Sequence, residues 1–297
     1  MPATFPALYG VVPILLTPFD DDGAIDESSL RNEVDFAIES GAHGLGIALG
    51  SEIYKLTEAE RDRVTTVVID QTRQRVPVVV NTGAAATNLA VFYSKRAQDH
   101  GASGVMCTPP GPGFSRSELL GYFGAISDAV AIPIVLQDTS STPIPATMIR
   151  AIGDACANAR YAKVESAPPA QQVDAAVRAA EGTVDIFGGA GGGQLLQELR
   201  RGSIGTMPFP TTTAAFAEVW NLWHAGDIAT AEARFASGIA PLLAIGIASI
   251  SGAHHIHKLA LQKQGVIRSA YVRPPADGLD PITREELEEA FTRLGWS

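Results

Sequence analysis

Short apolar runs alternate with longer amphipathic stretches along most of this chain. Runs at 11–16, 44–49, 76–81, 104–107, 132–137, 161–164, 184–187 and 204–207 are brief and apolar throughout, the pattern of strands covered on both faces. Between them, apolar residues recur at helical spacing over 28–39, 88–99, 115–129, 145–156, 171–180, 193–201 and 212–225. Asp26 and Glu27 precede the first helix, and Thr57 with Glu58 and Glu60 behind it reads as an N-cap opening another. Small pairs such as Gly41-Ala42 and Gly101-Ala102 suit helix ends that turn back into a sheet. Eight strands alternating with eight helices predict a parallel sheet, with a (β/α)₈ (TIM) barrel favoured over a doubly wound open sheet by the regular count. Beyond residue 226 the strand signal stops. Asp227 and Thr230 open one helix, and 253–264 and 283–294 read as two more. The expected organisation is a barrel over 1–226 and a three-helix extension over 227–297.

Composition narrows the function classes. The 297 residues are 46% hydrophobic and 18% charged, enough for one large core. The formal charge of −10 is spread along the chain with no basic cluster, which argues against nucleic acid and anionic membranes as partners. No apolar run approaches a membrane span, and residues 1–6 lack the basic and apolar regions of a signal peptide, so a soluble cytoplasmic protein is expected. Cys107 and Cys156 form neither a zinc spacing nor a disulfide framework and read as buried thiols. Apolar residues around 242–250 suggest subunit contacts.

A barrel places its chemistry at the carboxyl ends of its strands. Lys163 is the informative residue there, because it lies inside an apolar strand, Tyr161-Ala162-Lys163-Val164-Glu165, whereas Lys55, Lys95, Lys258 and Lys263 fall in loops or helices open to solvent. Strand alternation puts Tyr161, Lys163 and Glu165 on one face. Facing inward, a partly dried amine favours its neutral, nucleophilic form and forms imines with ketones. The pattern alone leaves a purely structural Lys163–Glu165 ion pair open. Glu165 is a candidate proton carrier, and Gln137 a hydrogen-bonding neighbour unable to titrate. Gly50 and Ser51 form a turn suited to a substrate carboxylate, and Thr82, Gly189 and Thr206 close further strands as candidate substrate contacts. The run Gly188-Gly189-Ala190-Gly191-Gly192-Gly193 lacks a Walker ending and reads as a close-approach loop near a small ligand. His254, His255 and His257 lack zinc-enzyme spacing and suit a surface or subunit contact.

With these residues in place, the sequence resembles the dihydrodipicolinate synthase/N-acetylneuraminate lyase family. The resemblance rests on Val12-Pro13-Ile14-Leu15-Leu16-Thr17-Pro18-Phe19, Glu52, Leu56-Thr57-Glu58-Ala59-Glu60-Arg61, Thr82-Gly83, Lys163 and Gly202-Ser203-Ile204-Gly205-Thr206-Met207. It implies a barrel with a helical C-terminus, a class I lyase that holds a 2-oxo acid as a Schiff base on Lys163, no metal or organic cofactor, and a homotetramer. The chain also departs from the pattern. Leu49-Gly50-Ser51-Glu52 stands where the family has a Thr-Thr or Ser-Thr pair before Gly-Glu. Gln137 replaces a tyrosine, Ser140-Ser141-Thr142 replaces a segment bearing an arginine, and a second tyrosine near Pro110 is missing. The Gln-Asp pair, the Ser-Glu turn and Lys-x-Glu are similar to 2-keto-3-deoxy-arabonate dehydratases, which implies dehydration of a 2-keto-3-deoxy sugar acid. A pyruvate-releasing aldolase, a dihydrodipicolinate synthase-like enzyme and a non-catalytic 2-oxo acid binder remain alternatives.

Overall fold

The computed structural model describes residues 7–245 and 249–296. The expectation about residues 1–6 lies outside them. Eight parallel strands with a helix following each make the fold a (β/α)₈ barrel. The chain divides into two compact units, one holding the chain up to Val12 together with Val76–Pro208, the other Pro13–Arg75 together with the chain from Phe209 on.

The first unit carries β1 (Gly10–Val11), β3 (Val78–Asn81), β4 (Gly104–Cys107), β5 (Ile134–Asp138), β6 (Ala159–Val164), β7 (Asp185–Gly188) and β8 (Gly205–Thr206). Its helices are α3 (Thr87–Asp99), α4 (Arg116–Ala129), α5 (Ala146–Ala155), α6 (Pro169–Ala180) and the short α7 (Leu195–Leu199). Neighbouring strands pair in parallel from β3 through β8 and on to β1. The residues of β3, β4 and β5 are all buried, which is why these strands read as unbroken apolar runs rather than as alternations. At the closing pair, Gly10 lies opposite Gly205, and a Cβ on Gly205 would collide with the Gly10 carbonyl, so only glycine permits this approach.

The second unit carries β2 (Leu45–Ile47) and the helices α1 (Glu27–Glu39), α2 (Glu58–Thr72), α8 (Thr213–His224), α9 (Ile228–Gly238), α10 (Ala240–Leu243), α11 (Ile250–Lys263) and α12 (Pro281–Leu294). The caps read from sequence form as expected. Asp26 accepts the Ser29 N–H, Thr57 and Glu60 make a reciprocal capping box, and Asp227 accepts the Thr230 N–H.

Three expectations need correction. The run at 11–16 is not one strand. Pro13 has no N–H to give a ladder, and beyond Val11 only Ile14 pairs, through a single parallel bridge to Gly46. The C-terminal segment holds four helices among the described residues rather than three, because Pro241, which can open but not continue a helix, starts the one-turn α10. The apolar stretch 242–250 is not uniformly exposed. Leu242 and Ile245 are buried in a cluster with Ile256, Leu287 and Phe291, whereas Leu243 and Ile250 are exposed and 246–248 lie outside the described residues. Both cysteines are free and buried, as expected. No helix among the described residues is long and apolar enough to cross a membrane.

Candidate active site

One hydrogen bond shows which side of the sheet is the inside. Asn81 Nδ2 on β3 donates to Gln137 Oε1 on β5 at 2.9 Å, although β4 lies between these strands. Side chains two strands apart meet only on the concave face of a curled sheet, so Asn81 and Gln137 point inward. Gln137 is paired in register with Lys163 on β6, and directly paired residues of a parallel ladder share a face. Lys163 therefore points inward too.

Lys163 is 5% exposed, and its ammonium stands 3.0 Å from Glu165 Oε1. The other oxygen of Glu165 accepts from Gln137 Nε2 at 3.1 Å, and Oε1 also accepts the backbone N–H of Ala190 at 3.1 Å. The line Asn81–Gln137–Glu165–Lys163 fixes which way the Gln137 amide points. Its oxygen is held by Asn81, so its NH₂ must face Glu165. One rung below, Tyr161 shares the inward face and packs against Phe187, with ring centroids 6.2 Å apart, while its hydroxyl accepts the Leu8 N–H at 3.2 Å.

Glu165 stands just past the end of β6, where a side chain would ordinarily wander. Asp138, buried at the end of β5, prevents that by accepting from Glu165 N at 3.1 Å, Ser166 N at 2.9 Å and Ser166 Oγ at 2.6 Å, while its other oxygen takes Ile144 N at 2.7 Å. Gly189 supplies the space, since a Cβ there would fall on the Glu165 side chain. The glycine run after β7 is thus a close approach to a carboxylate of the site. Its left-handed turn at Ala190, Gly191 and Gly192 aims the Ala190 N–H at Glu165.

The other expected contacts in this unit face elsewhere. Thr82, one residue past inward-facing Asn81, turns to the helix layer and bonds Ser94 Oγ at 2.8 Å and Cys107 Sγ at 3.2 Å. Lys163 pairs with Phe187, so the next residue, Gly188, is on the opposite face, and Thr206 is paired with Gly188. The Thr206 side chain therefore lies on the α7 side of the sheet, not beside Lys163.

The second unit holds the Gly50–Ser51 turn. The Ser51 hydroxyl is 1% exposed, accepts the Ala48 N–H at 3.0 Å and donates to the Leu15 carbonyl, so it holds the turn itself together. Gly50 is required because a Cβ there would press on Phe209 and Ile14. Glu52 follows in the left-handed region at φ 57°. It is buried and paired with Lys258 at 2.5 Å and Lys55 at 3.0 Å. Burial alone would raise this carboxyl, but the two ammonium groups offset that and hold it below the usual value. Two lysines read as open to solvent are therefore not. Lys258 is fully buried, donating to the Tyr271 carbonyl at 3.0 Å over the Phe19 ring, and the Lys55 side chain is 6% exposed. The expected surface role fails for His254, whereas His255 and His257 are partly exposed. His254 is buried, with burial pushing it down to about 4, and His257 stacks on Phe209 at 4.2 Å and bonds Thr211 at 2.9 Å.

Sequence reading took Asp138 only as part of the Gln-Asp pair, and missed Asn81, Glu33, Glu198 and Lys258. For the last three a signal existed. Glu33 falls at core spacing with Leu30, Val34 and Ala37 on α1, Lys258 with His254 and Leu261 on α11, and Glu198 follows Leu195 by three on α7. A charge on an apolar stripe marks a buried ionisable group.

Known proteins agree with this architecture. The family model for the dihydrodipicolinate synthetase family matches residues 7–294. The chain is 31% identical to L-2-keto-3-deoxyarabonate dehydratase of Azospirillum brasilense, over 97% of this chain and 95% of that protein. It is 27% identical to 4-hydroxy-tetrahydrodipicolinate synthase of Acidiphilium cryptum, over 97% and 98% of the two chains. Its fold superposes on the crystal structure of dihydrodipicolinate synthase from Rhodopseudomonas palustris with a TM-score of 0.87 and 27% identity, covering 97% of this chain and 98% of that one. A match along almost the whole length, with an inward lysine on the sixth strand, places the chain in the dihydrodipicolinate synthetase family, as a lyase.

Proposed function

We propose that this lyase forms a Schiff base between Lys163 and the ketone of a 2-oxo acid, and that its substrate is a 2-keto-3-deoxy sugar acid that it dehydrates. The observation that carries the reading is the Lys163–Glu165 contact of 3.0 Å on the concave face of the sheet, with Gln137 on the far oxygen of the carboxylate. Glu165 is placed to take the ammonium proton, which frees the amine to attack C2. Glu165 returns that proton to the carbinolamine hydroxyl, which leaves as water to give the protonated imine, and this iminium acidifies C3–H. Glu165, again a carboxylate, removes the C3 proton to leave an enamine and passes it to the C4 hydroxyl, which the enamine electrons expel as water. Hydrolysis of the conjugated imine then releases the product and restores Lys163. Gln137 cannot carry a proton. Its role is to hold Glu165 by one NH₂ hydrogen while the amide oxygen stays bound to Asn81.

The dehydratase relative supports this outcome over carbon–carbon cleavage, which would start from the same enamine. The resemblance further implies a homotetramer with no resident cofactor. Borohydride reduction in the presence of pyruvate, and separately of a 2-keto-3-deoxy sugar acid, followed by peptide mass spectrometry, tests the reading. A reduced adduct on Lys163 is expected with both. Product masses then separate dehydration, which keeps every carbon, from cleavage, which yields pyruvate. Release of pyruvate from the sugar acid would overturn the dehydratase reading.

A further inference from the structure

Behind the sheet, opposite the Lys163 face, lies a second carboxyl. Glu198 on α7 is fully buried, and among the described residues neither of its side-chain oxygens has a hydrogen-bonding partner. The Thr206 hydroxyl, on that same side of the sheet, is likewise buried without a partner. The space for Glu198 is made by Gly188, where any Cβ would fall on the Glu198 carboxyl. The next residue, Gly189, makes the same kind of space for Glu165 on the other side. Adjacent glycines at the end of β7 thus make room for two carboxyl groups on opposite sides of the chain. A buried polar group left without partners is costly, and a site that keeps one invites a functional account.

We propose that Glu198 is a positioning residue for Glu165, acting through the glycine pair at the end of β7. The proposal rests on the Schiff-base reading for its catalytic meaning, though not for its electrostatics. Burial first, and then the charge of Glu165, push Glu198 up to about 8, so near neutral pH it is uncharged. Glu165 is then the carboxylate that balances the Lys163 ammonium. If Glu198 ionises, a second negative charge behind the sheet repels the Glu165 carboxylate and works against its seat beside Lys163, so the acceptor for the ammonium proton is less well placed.

Few other charges face Glu198. On α6, Asp174 and Arg178 pair with each other at the surface, β8 has no titratable residue, and the rest of α7 is Leu195, Leu196, Gln197 and Leu199. Arg200 and Arg201 follow α7, with Arg201 donating to the Gln197 carbonyl, and Asp185 lies at the opposite end of β7.

Two experiments on the intact protein test this. First, infrared difference spectra of wild type against Glu198→Gln isolate the Glu198 carboxylic acid band from that of other buried acids. The band is expected at pH 7, lost as pH rises through about 8, and lost at lower pH in the Glu165→Gln background, where the repelling charge is gone. Second, the rate of cyanoborohydride trapping with pyruvate is followed from pH 6.5 to 9.5. The ratio of the Glu198→Gln rate to the wild-type rate is expected to rise severalfold as pH passes about 8, where wild-type Glu198 ionises. Glu198→Met, of similar volume and equally unable to ionise, should behave alike if the Gln variant folds poorly. A flat ratio, or a carboxylic acid band unmoved by Glu165→Gln, would overturn the proposal. The infrared measurement needs no substrate, so failure to trap anything on Lys163 would count against the Schiff base and leave the electrostatic coupling independently tested.

Discussion

Glu33 gives a stability prediction whose size follows from its surroundings. The side chain is fully buried on α1. Oε1 accepts the Leu16 N–H at 2.7 Å, and Oε2 has no hydrogen-bonding partner among the described residues. Burial raises this carboxyl from 4.5 to about 8, with the Leu16 bond and the charge of Lys258 offsetting only part of the effect. The raised value sets the sign. Below about pH 4.5 the group is neutral folded or unfolded and contributes no penalty. As pH rises, the unfolded chain releases the proton and the folded chain does not, so stability falls until pH passes about 8 and then levels. At 1.36 kcal/mol per pH unit the full window is on the order of 5 kcal/mol. In Glu33→Gln the amide oxygen keeps the Leu16 bond while the pH-dependent loss disappears. The extra buried N–H costs about 1–3 kcal/mol, leaving a net gain of roughly 2 kcal/mol at pH 8. Urea unfolding of both proteins at pH 5, 6.5, 8 and 9 measures this. The stability difference should grow in favour of Glu33→Gln by about 1.4 kcal/mol per pH unit up to about pH 8 and then stay constant. A difference that does not change with pH, or a variant that loses stability relative to wild type as pH rises, refutes the reasoning.

Three other substitutions probe separate contacts. Gly189→Ala puts a methyl group on the Glu165 side chain and should lower kcat at least about 100-fold while urea midpoints stay close to wild type; unchanged kcat would show that the Glu165 position does not matter. Asp138→Asn replaces a carboxylate that accepts at both oxygens with an amide that has a single accepting oxygen, so either the Ile144 N–H or the Glu165 and Ser166 N–H groups face an NH₂, and steady-state kinetics should show a fall in kcat of roughly tenfold or more. Lys258→Met leaves the buried Glu52 with Lys55 as its remaining ammonium partner and should cost about 2–4 kcal/mol in urea unfolding, whereas Lys258→Met with Glu52→Gln should recover most of it; equal losses in both variants would deny the pair its role.

Much of the fold was legible because both strand and helix periods are clean. The 104–107 run coincides with β4, and the helices α3, α4 and α5 begin and end within one residue of their expected limits. Lys163 stood out for a simple physical reason, an ammonium inside an apolar strand. The roles of its neighbours were less visible. Asn81 and Asp138 act through contacts between strands, and spacing along one strand cannot report which strands adjoin or how far the sheet curls. Thr82 and Thr206 were placed with the substrate because both close a strand, yet alternation turns each to the helix side, a distinction that depends on register. Gly50 and Ser51 looked like a ligand turn, but Ser51 spends its hydroxyl on Leu15 and Ala48, bonds that no local pattern reveals. Lys258 and Glu33 were overlooked because charged residues on helices are usually solvated, although both sat on apolar stripes.

The central claim concerns the Lys163 amine, and peptide mass spectrometry after borohydride reduction with pyruvate reads it directly. A reduced pyruvyl group on the peptide carrying Lys163, absent from Lys163→Arg and absent without reductant, is the expected result. An unmodified Lys163 peptide under conditions where the enzyme turns over substrate, or an adduct on Lys258 instead, would contradict it.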